Sequence, residues 1–437
     1  MKKNLHLFLS YAIPSVIAML IVGSYNIVDS VFIGQYGGPR GLAAVAMTWP
    51  LVMMFGALGD MLGTGAAVII SQSRGRGDVA HARRILGTTL LVQVLCAAVL
   101  ILPTLYFLPD ILVAFGTTPD LMDASCEYAR VLIYGCMATI LIMGTGPIIR
   151  NDNRPVLAMV FVVIGLLMNM LLDYVLIFVC DMGLRGAAWA TIVSQAIGAI
   201  IQSAYFATRY TRLRFGRDML KISTKNVRAI VTSGMPSFGS QIAIITMLFL
   251  HNFQALRYGG TDGVAIYTFI GAIESLGALF MTGLALGVQP LAAFMYGRKN
   301  YVGQNAIGNL GYMFAAIFGL LLMTVLIVGR DTFPHWFNLT GELAPMAARG
   351  LAISACMFLV FGLVRVAGYY YQATGKIRQA NMLIYGDAFV ALPLCLFTLP
   401  MFFGLDGVWM AMPASRLLLF MLVCWFWWGD KIKRRRA

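Results

Sequence analysis

Long apolar stretches recur along this chain of 437 residues, each about the length of a helix that crosses a lipid bilayer. A spanning helix needs roughly 20 apolar residues. Such stretches lie near 10–34, 44–70, 86–108, 125–148, 155–180, 186–209, 229–255, 264–294, 307–329, 347–371, 379–403 and 406–428. Only 11% of the residues are charged and 60% are hydrophobic, which is too apolar for the surface of a soluble protein. The sequence therefore predicts an all-α polytopic membrane protein with twelve transmembrane helices.

The basic residues are concentrated in one set of alternate loops. Most of the 32 Lys and Arg residues lie at the N-terminus, in the 71–85 loop, in the 209–228 segment and in the C-terminal tail. The opposite loops hold Arg40, Arg185, Arg257, Arg330 and Arg349. Because basic loops stay in the cytoplasm, we expect a multi-pass protein of the cytoplasmic (inner) membrane with both termini cytoplasmic. Contact with membrane lipids then explains the net charge of +14, and no nucleic-acid partner is expected.

The two halves of the sequence are related by a shift of 222 residues. The shift aligns Pro14 with Pro236, the Tyr-Gly-Gly at 36–38 with that at 258–260, and Gly75-Arg76 with Gly297-Arg298. The repeat predicts two pseudo-symmetric six-helix lobes: an N-terminal lobe over 1–208 (helices 1–6), a basic cytoplasmic linker over 209–228, and a C-terminal lobe over 229–437 (helices 7–12) with a basic cytoplasmic tail. Repeats of this kind are typical of secondary transporters that work by alternating access. No GxxxxGK[ST] motif for nucleotide binding is present in the sequence.

Carboxylates within the apolar stretches are functional candidates, because a charge inside a membrane is costly. Asn169 and Asp173 are four residues apart and so share one helix face. An amide oxygen and a carboxylate on one face suit a hard cation or a proton relay, and Asp29 is the carboxylate that the first helix adds. The alternative is that each carboxylate caps a kinked helix or accepts from a neighbouring hydroxyl.

Three further carboxylates lie in the spans. They are Asp60, Glu274 and Asp387, and together with Asp152 and His251 they are candidates for substrate contact or secondary coupling. The repeat places His251 opposite Asp29, and it places Cys395, or Leu394 if the repeat slips by one residue, opposite Asp173. The second lobe therefore does not copy the carboxylates of the first, and we expect only the first lobe to carry the coupling site.

Several motifs together resemble one known family. AIPSVIAMLIVGSYNIVDSVFIGQYG at 12–37, RNDNRPVLAM at 150–159, NMLLDYVLIF at 169–178 and GLALGVQPLAAFMYGRKN at 283–300 are similar to the multidrug and toxic compound extrusion (MATE) family, closest in pattern to its DinF-like branch. The resemblance covers essentially the whole chain. It implies twelve helices in two lobes and export of organic cations or other drugs in exchange for H⁺ or Na⁺.

The same resemblance implies roles for individual residues. The cation-coupling set of the DinF-like branch matches Asp29, Asn169, Asp173 and Thr191, which would also be the Na⁺ ligands if the ion is Na⁺. The bending proline of the first helix matches Pro14, and the acidic residue of the loop motif after the fourth helix matches Asp152. Where the NorM-type branch has second-lobe carboxylates, this chain has His251 and Arg365.

We therefore expect a secondary active multidrug exporter that acts as a monomer on small drug-like molecules, without a resident cofactor. A flippase for lipid-linked or anionic cargo is the alternative, and it would favour a cleft lined by Arg and Lys. Only Arg130, Arg365 and Arg416 lie within the predicted spans. An intramembrane enzyme would need clustered catalytic groups, which the sequence does not show, so no enzymatic activity is expected.

Overall fold

The computed structural model is built of α-helices. It describes residues 2–214, 216, 219, 221, 223–337 and 339–436, without the side chains of Asn26, Pro39 and 430–436. Parts of the predicted basic linker, including Arg217, and the side chains of the basic tail thus lie outside the described residues. The helices are α1 Lys2–Gly75, α2 Val79–Tyr106, α3 Leu108–Ala114, α4 Pro119–Tyr134, α5 Cys136–Asn151, α6 Pro155–Asp173, α7 Gly183–Tyr205, α8 Thr224–Gly297, α9 Tyr301–Val328, α10 Phe333–Trp336, α11 Leu343–Ala355, α12 Phe358–Ala373, α13 Ile377–Gly386, α14 Leu392–Phe403 and α15 Leu405–Arg436. Short π-helical segments, Tyr174–Val179 and Asp387–Ala391, follow α6 and α13.

The helices account for twelve membrane crossings. Within the described residues, nine helices are long and apolar enough to span a bilayer, and two bent helix pairs raise the number to eleven. One of the nine is α8, whose 74 residues would extend about 110 Å as a single helix. Gly260 has φ 58° and breaks α8, as Gly38 with φ 57° breaks α1, so α8 supplies two crossings. The predicted all-α fold with twelve spans is confirmed.

The backbone repeats with the same 222-residue shift as the sequence. The bounds of α1 and α8 differ by this shift at both ends, and so do those of α2 and α9. Asp78 caps α2 by accepting from the backbone N–H of His81, and Asn300 caps α9 by accepting from that of Gly303, at 2.9 Å in both cases. The internal repeat is thus present in structure as well as in sequence.

Two spans are bent where the sequence predicted continuous helices. The span predicted near 125–148 consists of α4 and α5, which meet at 56°, and that near 347–371 consists of α11 and α12, which meet at 42°. Gly135 lies at the first bend, where a Cβ atom would come within 2.2 Å of the Ile192 side chain. The absence of a side chain at this position lets α7 approach the break.

The described chain divides into two compact units. The first unit contains residues 17–238 and 293–299, and the second unit contains 1–16, 239–292 and 300–437. These bounds follow the predicted lobes except for short exchanged segments; the functional division into an N-terminal and a C-terminal lobe stays a prediction.

Small residues bring helices together inside the first unit. A Cβ atom on Gly63 would lie 2.2 Å from the carbonyl oxygen of Gly144, and one on Gly59 would lie 2.5 Å from that of Ile140. The second crossing of α1 therefore packs backbone to backbone against α5. Close approach through small residues is the usual way in which membrane helices gain packing energy, since lipid supplies no hydrophobic driving force between them.

Candidate functional site

Asp29 and Asp173 bring two carboxyl groups close enough to interact electrostatically inside the first unit. Asp29 lies in the first crossing of α1, and Asp173 is the last residue of α6. The side chain of Asp173 is completely buried, and that of Asp29 is half-buried. The two candidates that the sequence placed on different helices therefore share one site.

Asn169 and Thr191 complete the predicted set. Asn169, one turn before Asp173 on α6, is only 2% exposed. Thr191 on α7 interacts with the hydroxyl of Tyr25, which lies one turn before Asp29. The structure thus brings α1, α6 and α7 together around one group of oxygen atoms.

Tyr25 and Tyr128 are site residues that the sequence analysis missed. Tyr25 interacts electrostatically with both aspartates, and so does the buried Tyr128 from α4. The spacing of Tyr25 four residues before Asp29 was a usable signal, because it places both on one helix face. No pattern in the sequence indicates that Tyr128 faces them. We call Tyr25, Asp29, Tyr128, Asn169, Asp173 and Thr191 the first-unit site.

The backbone is irregular beside the buried carboxylate. The π-helical segment Tyr174–Val179 begins directly after Asp173. Its bonding is seen in the backbone N–H of Cys180, which donates to the carbonyl of Val175 at 2.8 Å. Short π-helical turns are rare and often occur at functional sites, because they turn side chains out of the regular helical register.

Several polar atoms of the first-unit site are buried and, within the described residues, have no hydrogen-bond partner. Both carboxylate oxygens of Asp173 and one of Asp29 have no hydrogen-bond partner among the described residues, and neither does the amide of Asn169. No Lys or Arg within the described chain pairs with either aspartate. Two ionised carboxylates repel each other in a medium of low dielectric constant, and neither can supply the missing proton. The arrangement therefore favours an added positive charge: a proton shared between the carboxylates, or a cation held by hard oxygen ligands.

Asp152 lies in a separate cluster at the ends of helices. Its carboxylate forms an ion pair with Arg74 at 3.1 Å and accepts from the hydroxyls of Tyr205 at 2.7 Å and Thr211 at 2.5 Å. The side chains of Asp152 and Arg74 are 1% and 7% exposed. The cluster ties the start of the 206–223 segment to α1, α5 and α7, and it does not touch the first-unit site.

Asp60 and Pro14 lie in the two crossings of α1. Asp60 is in the second crossing of α1, where its Oδ1 accepts from the hydroxyl of Thr64 at 2.8 Å and the side chain interacts with Arg150. Pro14 is buried in the first crossing, and the helix continues through it. The roles predicted for both residues stay predictions.

The remaining candidates surround Arg416 in the second unit. Asp387 forms an ion pair with Arg416, and the carboxylate of Glu274, bonded to Ser354, interacts with the same guanidinium. His251 lies near Arg416, and its ring is stacked on Tyr267 with centroids 5.1 Å apart. These residues therefore form a second polar cluster, in which the protein itself supplies the positive charge.

The fold and the buried carboxyl pair define the class: a multi-pass membrane transporter made of two six-helix repeats. A family model described as MatE matches residues 14–175 and again residues 236–397. The chain therefore belongs to the MatE family, and the resemblance found in the sequence is confirmed. The two matches are themselves separated by 222 residues; assignment to the DinF-like branch stays a prediction.

Individual relatives agree with this assignment. The multidrug export protein MepA of Staphylococcus haemolyticus (strain JCSC1435) is 26% identical over 416 residues, which is 94% of this chain and 90% of that protein. A solved structure described as the outward-facing conformation of a multidrug resistance MATE family transporter of the MOP superfamily has a TM-score of 0.92 at 22% identity, with coverage of 99% of this chain and 96% of that one. A MOP superfamily transporter from Pyrococcus furiosus has a TM-score of 0.91 at 22% identity, with the same coverage. At 22% identity, the likeness to these two structures shows the fold of this chain alone.

Proposed function

We propose that this chain is a secondary active multidrug exporter that exchanges organic cations or other amphipathic drugs for H⁺ or Na⁺ by alternating access. Membership of the MatE family and similarity to proteins named multidrug export protein support the substrate class. Because its relatives are transporters, we propose no enzymatic activity and no resident cofactor. The coupling ion is a co-substrate, and the protein works as a monomer in contact with membrane lipids.

The proximity of Asp29 and Asp173 carries the proposal. Two acidic groups share a buried site that no cation of the described residues neutralises, so the binding of H⁺ or Na⁺ would change the charge of that site. A change of charge in a medium of low dielectric constant favours one packing of the surrounding helices over another. An ion that prefers one of two conformations can drive the exchange of a substrate that prefers the other.

Dye uptake into the lumen of inverted membrane vesicles, which corresponds to efflux from a cell, tests the function and identifies the ion. A pH gradient and a Na⁺ gradient are imposed separately, with ethidium as the probe, and control vesicles lack the protein. We expect efflux to depend on the protein and on one of the two gradients. Efflux at the same rate with and without each gradient would contradict ion coupling. Movement of a fluorescent lipid without any dye efflux would favour the flippase.

The proposed location is the cytoplasmic membrane with both termini in the cytoplasm, supported by the distribution of basic residues. Cysteines introduced near 71–85, 209–228 and 296–304 should react with an impermeant maleimide in inverted vesicles but not in intact cells. Matched cysteines near 109–118 and 330–337 should show the opposite pattern. Labelling of the first set in intact cells would contradict the orientation.

A further inference from the structure

The repeat gives the residues of the first-unit site counterparts in the second unit. With the 222-residue shift, Asp29 corresponds to His251 and Tyr25 to Met247, both on α8. The Nδ1–H of His251 donates to the carbonyl of Met247 at 3.0 Å, and Nε2 has no hydrogen-bond partner among the described residues. A carboxylate and a phenol in the first unit are thus replaced by an imidazole and a thioether.

The residues of the second unit that correspond to α7 of the first unit also differ in type. The repeat slips by one residue before α7, where Gly183 corresponds to Gly404. Thr191 then corresponds to Met412, and Gln195 corresponds to Arg416, both on α15. We call Met247, His251, Met412 and Arg416 the counterpart site. Where the first unit has an amide, the second unit has a guanidinium.

Arg416 reaches into the counterpart site. One guanidinium nitrogen lies 3.9 Å from the sulfur of Met247 and 4.0 Å from that of Met412. Met247 and Met412 replace Tyr25 and Thr191 of the first unit. Their sulfur atoms are soft and polarisable, so they interact favourably with the face of the guanidinium cation. The guanidinium also lies over the Phe361 ring, 5.3 Å from its centroid, and Arg416 is only 6% exposed.

The titratable groups that face Arg416 come from three elements. Asp387 after α13 forms the ion pair, and Glu274 and His251 of α8 and Arg365 of α12 interact with the guanidinium at longer range. Two acidic and two basic side chains, counting Arg416, therefore face each other beside the imidazole of His251. The first-unit site contains two acidic side chains and no basic one, so the described residues do not balance its charge.

We propose that the guanidinium of Arg416 is a built-in cation in the second unit's counterpart of the ion site, so that this unit takes up neither H⁺ nor Na⁺. Asp387 is its counter-ion. The identity of the ion in this proposal rests on the proposed function, in which the first-unit site binds H⁺ or Na⁺. The proposal explains why only one of two similar units would respond to that ion. It also predicts that, without the arginine, Asp387 and Glu274 form a site for a proton or a small hard cation.

The thermal stability of purified protein tests this without transport. In a background that carries Asp29→Asn and Asp173→Asn, the first-unit site cannot bind the ion, so the result does not depend on the proposed function. We expect the Tm of this background to be equal in NaCl and in choline chloride. Arg416→Gln, which copies Gln195 of the first unit, should make the Tm rise with Na⁺ or with acidification, by roughly 5 °C near saturation. Adding Asp387→Asn should remove the gain.

A cavity variant provides a second measurement. Arg416→Ala removes the guanidinium and leaves space for a small ion of the same kind, so millimolar ethylguanidinium should raise its Tm, whereas tetramethylammonium should not. The proposal is overturned if both Arg416 variants fold and respond to none of these cations. It is equally overturned if both variants fail to fold and neither acid, Na⁺ nor ethylguanidinium restores folding.

Discussion

Asp29 of α1 and Asp173 of α6 interact carboxyl to carboxyl in the first unit, with no basic side chain of the described chain paired with either. Such a pair is stable in a membrane only if a proton or a cation joins it. We therefore expect the pair to bind and release positive charge as one unit, because the charge on one carboxylate affects the proton or ion held by the other.

Neutralising either aspartate should abolish ion-driven efflux. Asp29→Asn and Asp173→Asn should each reduce the initial rate in vesicles at least about tenfold, which corresponds to a rise of about 1.4 kcal/mol in the activation free energy of transport. The double variant should be no worse than either single variant, since both act on one shared site. Asp110→Asn, on an exposed carboxylate, is the matched control. Retained efflux in either single variant, or losses that simply add, would contradict a shared site.

Residues around the pair should have smaller effects. Asn169→Ala and Thr191→Ala each remove one oxygen ligand, so efflux should fall a few-fold and fall further under a Na⁺ gradient if Na⁺ is the ion. Tyr25→Phe should behave like Thr191→Ala, because the two side chains interact with each other. Initial rates over a range of Na⁺ concentrations measure this effect. A complete loss in Tyr25→Phe would show that the phenol itself is essential.

Pro14→Ala should impair turnover more than folding. Proline lacks the N–H for one helical hydrogen bond, so alanine restores that bond and stiffens the first crossing of α1. We expect a Tm equal to or slightly above that of the wild type, together with slower efflux. Ser15→Ala at the adjacent buried position is the control. Normal efflux by Pro14→Ala would remove the bending role.

Gly63→Ala should destabilise the first unit. The added Cβ atom would lie 2.2 Å from the backbone of Gly144, so α1 and α5 must separate, at a cost of about 1–3 kcal/mol. Gly56→Ala is a matched control on the same helix, because nothing lies within 4 Å of the position that its Cβ atom would take. The Tm of detergent-solubilised protein should fall in the first variant only. Equal Tm values would show that the helices adapt to the added methyl group.

Asp152→Asn should destabilise the protein by leaving Arg74 buried without its counter-ion. Breaking a buried ion pair by removing one partner costs about 3–5 kcal/mol. Adding Arg74→Gln to Asp152→Asn should recover part of this loss, because the unpaired charge is then removed. Thermal unfolding of the wild type and the two variants measures both effects. A normal Tm with lost efflux would instead assign Asp152 directly to transport.

Local patterns in the sequence determined the membrane class, the number of spans and the repeat. An apolar stretch of about twenty residues is sufficient for a span, and helical spacing alone puts Asn169 and Asp173 on one face. The repeat is visible in matched pairs such as Pro14 with Pro236 and Gly38 with Gly260. The glycine pair is matched because both copies break a long helix at the same position, with a positive φ.

The tertiary structure decided which distant residues meet. Asp29, Tyr128 and Asp173 lie on three different helices, and their approach depends on how those helices pack, which no local period records. Packing also placed Asp152 with Arg74, away from the carboxyl pair, and brought Arg416 to Asp387. The physical reason is that helical periodicity is set by hydrogen bonds between residues close in sequence. Contacts between helices are set by the shapes of whole helix surfaces, such as the surface that Gly59 and Gly63 present to α5.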